Sequence, residues 1–91
     1  MSVSVRIPTT LRPLTGGQSE VKLEGSNVRE VLGNLDGAHP GFADRLLDDD
    51  GNLRKFVNVF VADDDIRFMD GLDTPVPEGA EVSIIPAVAG G

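Results

Sequence analysis

Phe56-Val57-Asn58-Val59-Phe60-Val61 is the stretch on which the reading of this chain turns. Aromatic and β-branched side chains fill it, which suits a pleated strand better than a helix. It is apolar on both faces, so it is expected in the middle of a sheet, where Asn58 must find hydrogen-bond partners. Downstream, Asp63-Asp64-Asp65 reads as a turn and Ile66-Arg67-Phe68 as a short edge strand. A loop punctuated by Gly71, Pro75, Pro77 and Gly79 leads to a last strand on Val82, Ile84 and Ile85, closed by Pro86.

Upstream, Asp48-Asp49-Asp50-Gly51-Asn52 is a solvated turn, preceded by a short helical turn on Phe42, Leu46 and Leu47 after His39-Pro40-Gly41. Val28, Val31, Leu32 and Leu35 recur at i, i+3, i+4 and i+7, the stripe of a helix with one buried face. Asn27 is its candidate cap, with Glu30 in capping-box position, and Gly37 its expected end. At the start of the chain Val3, Val5 and Ile7 alternate with Ser2, Ser4 and Arg6, and Val21 and Leu23 alternate with Glu20, Lys22 and Glu24. Pro8 and Pro13 bound a loop between these strands, and Gly16-Gly17 turn the chain back into a hairpin. The order β-β-α-β-β-β is an α+β arrangement: one helix packed on a mixed sheet of four to five strands.

Ninety-one residues suit a single domain with one modest core. Such a chain is better able to bind or carry something than to enclose a reaction. There is no cysteine, so disulfides and thiolate metal sites are excluded and sulfur could not be held on a thiol. The net charge of −7, with Tyr and Trp absent, argues against nucleic-acid binding and suits a partner with a basic patch. No run of about 18 apolar residues and no charged-then-apolar leader is present, so the expectation is a cytoplasmic protein away from membranes.

Other candidate sites fail on chemistry. With Gly51 at position six of a calcium loop, positions one and twelve would be Leu46 and Val57, which carry no ligand oxygen. His39, the single histidine, has no nucleophile or orienting partner in its neighbourhood of sequence. Gly16-Gly17 lacks the Lys-Ser/Thr of a phosphate-binding loop. Glu78 and Glu81 lie in a turn and at a strand edge rather than as a paired acid and base.

What remains is the end of the chain. After Pro86 the residues shrink through Ala87-Val88-Ala89 to Gly90-Gly91. These five residues are expected to form a flexible tail on a domain spanning residues 1–86. Two glycines can thread a narrow channel, because no Cβ obstructs and any φ is allowed. The tip offers a carboxylate with no residue after it, open to adenylation by an ATP-using enzyme. Taken alone, two terminal glycines are equally compatible with a frayed end.

The segment from Glu78-Gly79-Ala80-Glu81-Val82 through Ser83-Ile84-Ile85-Pro86 to Gly90-Gly91 resembles the ending shared by molybdopterin-synthase small subunits and thiamine-type sulfur carriers. Ile7-Pro8-Thr9-Thr10-Leu11-Arg12-Pro13, Thr15-Gly16-Gly17, Arg54-Lys55-Phe56-Val57-Asn58-Val59 and Asp63 through Phe68 are similar to the branch serving cysteine biosynthesis. The resemblance is weaker between Gly33 and Asn52. It implies a ubiquitin-like β-grasp fold, and a chain that is a co-substrate rather than an enzyme. It implies that the Gly91 carboxylate is adenylated by an E1-like enzyme and converted to a thiocarboxylate. That group would donate sulfur to a pyridoxal-phosphate-dependent cysteine synthase or another sulfurtransferase. A JAMM-type zinc metallopeptidase would then release the product from Gly91. ATP, zinc and pyridoxal phosphate would all belong to these partners, and the free carrier would be a monomer.

Two alternatives stay open within the family: the small subunit of molybdopterin synthase, and a protein modifier joined to lysine through Gly91. A non-catalytic binding module is the third. For the docking surface, Phe60, Phe68, Met69 and Val88 are the apolar residues expected near the tail end of the sheet, with Arg67 as a rim contact. Ala87, Val88, Ala89 and Gly90 would line the partner's channel.

Overall fold

In a computed structural model, residues 2–55 and 57–86 are described. The opening alternation forms β1 (Ser2–Arg6) and β2 (Glu20–Glu24), paired antiparallel with Val3 opposite Leu23 and Val5 opposite Val21. Between them, where the prolines suggested a loop, Thr9–Thr15 winds as a 3-10 helix. Pro13 is compatible with that winding because its fixed φ lies in the same range. Leu11 is buried and anchors the segment. Gly16, at φ +69°, ends it in the left-handed conformation that glycine adopts without strain.

The stripe of apolar residues forms α1 (Val28–Ala38), with Val28, Val31, Leu32 and Leu35 buried. Asn27 caps it: its side-chain oxygen accepts the Glu30 N–H at 2.8 Å. The Glu30 carboxylate reaches back to the Ser26 N–H and hydroxyl, both at 2.9 Å. Those two donors, the backbone N–H first, hold the Glu30 carboxyl below its ordinary pKa. The helix continues one residue past Gly37, and His39 takes the C-terminal cap position with its N–H on the Leu35 carbonyl at 2.8 Å. Pro40 disfavours helical geometry at the residue before it, which is why the helix stops there and not at the glycine.

The short turn expected next is α2 (Phe42–Leu46), whose Phe42 and Leu46 are buried. Asp36, on α1, secures its start by accepting the Gly41 and Ala43 N–H groups at 3.1 and 2.9 Å. The acidic turn after it closes on Asp48, whose carboxylate accepts the Asp50 and Asn52 N–H groups.

The deciding run forms β3 (Val57–Val61), with Phe56 outside the described residues. Its burial is one-sided: Val57, Val59 and Val61 are buried, whereas Asn58 and Phe60 are half-buried on the open face. The sheet order, taking β4 (Asp64–Asp65) and β5 (Glu81–Pro86), is β2-β1-β5-β3-β4. β3 is therefore next to the edge, flanked by a two-residue strand, and the central place goes to β5. Ile66–Phe68, expected as a strand, is a 3-10 helix instead. The Asp65 carboxylate accepts the Arg67 N–H at 2.8 Å and the Met69 N–H bonds back to the Ile66 carbonyl at 3.0 Å, a closure that turns buried Ile66 into the core.

β5 runs parallel to β1, with Val5 opposite Val82, and antiparallel to β3, with Val59 opposite Ile84. The sheet is thus mixed, and α1 and α2 cover one of its faces. Val5, Val59, Val82, Val28, Leu35 and Phe42 are wholly buried between the layers. Each such side chain contributes about 1.5–3 kcal/mol of apolar transfer.

Candidate functional site

β5 leads to the candidate site at the end of the chain; β1 pairs it from Glu81 to Ser83, and β3 pairs it from Val82 to Pro86, which lies opposite Val57. Residues 87–91, including Val88 and the Gly90-Gly91 tip, lie outside the described residues. The site described below is the end of the sheet at Pro86.

On the open face at this end, Ser83 and Ile85 project beside Phe60 and Asn58 of β3, with Ser83 opposite Phe60 and Ile85 opposite Asn58. Phe60 and Ile85 are diagonal neighbours on one face, a spacing of about 7–8 Å. Ile85 is 49% exposed, a large apolar residue that the sequence placed only as a strand position. On the β1 side, Arg6 lies opposite Ser83. There an open groove of about 420 Å³ is lined by Arg6, Pro8, Thr9, Arg12, Ser83 and Ile85. Arg12 donates from Nε to the Ile7 carbonyl at 3.2 Å, which fixes its stem along this groove.

On the β3 side, Arg67 acts as a strut. Its guanidinium donates to the Asn58 side-chain oxygen and, through Nη2, to the Arg54 and Lys55 carbonyls at 2.8 and 3.1 Å. The partner that Asn58 needed is therefore Arg67, and Arg67, although exposed, joins the 3-10 helix at 66–68 to the segment that enters β3. The next residue, Phe68, is 90% exposed, and Met69 is 45% exposed. Of the expected docking residues, the structure thus brings Arg67, and Phe68 beside it, toward the Pro86 end of the sheet, whereas Phe60 lies opposite Ser83, toward the other end of β3.

Sequence reasoning missed Arg6, Arg12, Arg54 and Lys55 at this end. The signal for two of them, an adjacent Arg-Lys pair before the strongest strand, was present. Their nearness to β5 depends on strand order and could not be read locally.

Among the described residues, no group of three or more His, Cys, Asp or Glu side chains could hold a metal ion, and no helix is long and apolar enough to cross a membrane. His39 is half-buried at the end of α1.

A five-stranded mixed sheet with its last strand in the centre and a helix across one face defines a ubiquitin-like β-grasp protein. The ThiS family matches residues 5–91, and the chain belongs to it. It is 46% identical over 93 residues to the sulfur carrier protein CysO of Mycobacterium tuberculosis (strain ATCC 25618 / H37Rv), covering 100% of both chains. The crystal structure of the Amycolatopsis orientalis BexX/CysO complex contains a chain with 43% identity and a TM-score of 0.92, covering 98% of this chain and 99% of that one. The small archaeal modifier protein 3 of Haloferax volcanii is 32% identical over 93 residues, again with 100% of both chains covered. The sulfur-carrier relatives support a sulfur-carrier role for this chain, that of a small ubiquitin-like carrier rather than a catalyst.

Proposed function

We propose that this chain carries sulfur as a thiocarboxylate on Gly91 and donates it in the biosynthesis of cysteine or another sulfur metabolite. The observation that carries this reading is 46% identity to a sulfur carrier with 100% of both chains covered, and a family match that runs through Gly90-Gly91 beyond the central strand. An oxygen of the Gly91 carboxylate attacks the α-phosphorus of ATP, and the bond to pyrophosphate breaks. A sulfide equivalent then adds to the acyl carbon and AMP leaves, which yields C(=O)–S⁻. The enzymes supply ATP binding, pyridoxal phosphate and zinc, and the carrier supplies the acyl carbon. The absence of cysteine makes Gly91 the one place where an alkylatable sulfur would be carried.

The test is the intact mass of the protein from its own host, before and after iodoacetamide. The expected result is replacement of one oxygen by sulfur and a single alkyl adduct, which maps to Gly91. A mass unchanged even after incubation with an E1-like enzyme, ATP and a sulfur source would overturn the reading. Similarity to a small archaeal modifier supports a second reading, protein modification through Gly91. High-mass conjugates in host extract that disappear when Gly91 is deleted would favour it.

A further inference from the structure

Five of the eight Lys and Arg residues of this chain gather at the tail end of the sheet, although the net charge is −7. Arg6 sits opposite Ser83, and Arg12 lines the groove beside Ile85. Arg54 and Lys55 precede Val57, the residue opposite Pro86, and Arg67 is bonded to both of their carbonyls. The ion pairs among the described residues are Arg6–Glu81 at 3.8 Å and Arg29–Asp73 at 3.3 Å. Arg12, Arg54, Lys55 and Arg67 therefore have no carboxylate partner there.

The opposite end of the sheet is acidic. Glu24 pairs with Ser2, Asp63 and Asp64 follow Val61, and Glu78 and Glu81 lead into β5. The acids that come near the basic end are Glu20, opposite Arg6, Glu81, paired with Arg6, Asp44, whose carbonyl accepts from Arg54 Nε, the Asp48–Asp50 turn, and Asp65 and Asp70 on either side of Arg67-Phe68, with the Asp65 carboxylate turned onto the Arg67 N–H. Charges are screened over about 8 Å at physiological salt, so a partner in contact with the tail end meets these cations and not the net charge. Beside them stands Phe68, an almost fully exposed ring on a 3-10 helix clamped by Asp65 and Arg67. A rigid aromatic next to fixed cations is the composition of an interface anchor with a charged rim.

We propose that Arg12, Arg54, Lys55 and Phe68 form the docking face for the activating enzyme. That enzyme presents a lip of Asp and Glu side chains around the channel that receives residues 87–91, and an apolar pocket for the Phe68 ring. This rests on the carrier reading above. Charge complementarity argues the occupant: the acids along the far end and sides of this chain would repel an extended polyanion such as nucleic acid, whereas a compact acidic rim meets only the basic end.

The experiment is ATP–pyrophosphate exchange by the E1-like adenylating enzyme of the same genome, with carrier concentration and salt varied. The KM for wild-type carrier is expected to rise steeply from about 20 to about 300 mM salt. R54E/K55E is expected to raise KM about tenfold at low salt and to flatten that dependence. F68A is expected to raise KM about tenfold and leave the salt dependence intact. K22E/R29E changes the net charge equally and is expected to leave KM within about twofold. Melting curves confirm that each variant is folded. Equal effects from the two double variants, or a salt-insensitive wild-type KM, would overturn the docking face while exchange by wild type leaves the carrier reading standing. Calorimetric binding of ATP to the carrier alone, lost in R54E/K55E, would assign the cations to a nucleotide and overturn it as well.

Discussion

The two faces of the one sheet use alternate residues of the same strands to opposite ends. On the covered face Val5, Val82, Ile84 and Val59 are buried under the helices; on the open face Arg6, Ser83, Ile85, Asn58 and Phe60 meet solvent. A single step along the chain separates the two sets, so a one-residue slip in register would exchange them. The lesson is that folding and recognition are separable here at the level of neighbouring positions. Substitutions on one face should register in stability, and those at the open tail end in partner affinity.

The sharpest way to break that division is Phe42→Ala. Phe42 is 0% exposed, and its removal is expected to cost about 3–5 kcal/mol in urea denaturation. A cost below about 1 kcal/mol would remove α2 from the core. Arg67→Met probes the boundary between the faces, since Arg67 spans the 3-10 helix and the entry to β3. It is expected to cost about 1–2 kcal/mol, because two backbone carbonyls and Asn58 lose their donor; a neutral result would reduce the strut to a surface contact. Phe68→Ala, at 90% exposure, should change stability by less than about 0.5 kcal/mol while weakening partner binding. The reverse pattern would place Phe68 with the core.

The smallest effect concerns acid. The Glu30 carboxyl titrates lower in the folded state than in the unfolded chain because Ser26 donates to its ionised form. Its contribution is present above the unfolded value and is lost as pH falls through the folded one. Melting temperatures followed from neutral pH downward should fall less steeply on the acid side for Glu30→Gln than for the wild type. Identical profiles would mean that this cap contributes nothing measurable.

Much of the secondary structure was legible because it rests on local chemistry. Alternation in Val3–Ile7 and Val21–Leu23, the helical stripe from Val28 to Leu35 and the Asn27–Glu30 cap all act within a few residues. The misreadings were places where local propensity met a longer-range demand. Ile66-Arg67-Phe68 has strand-like composition, yet Asp65 caps it into a 3-10 helix that buries Ile66 and presents Phe68. The run through Val61 looked two-sided, yet in Val57–Val61 only Val57, Val59 and Val61 are buried, while Asn58 and Phe60 lie half-buried on the open face beside a two-residue edge strand. Of the expected docking residues, Arg67 and Phe68 stand toward the Pro86 end of the sheet and Phe60 toward the other end of β3, while Arg67 bonds within the chain as well as facing out.

The sequence by itself determined the opening hairpin with its polar and apolar sides, the helix from Val28 with its Asn27 cap, and strands on Val57–Val61 and Glu81–Pro86, since these depend on the period of side-chain direction and on local capping. Only the tertiary structure decided that the last strand enters between β1 and β3. That insertion draws Arg6, Arg12, Arg54, Lys55 and Arg67 to one end of an acidic molecule. Strand order is a property of non-local pairing, settled by how the whole apolar face is covered, and no segment carries it alone.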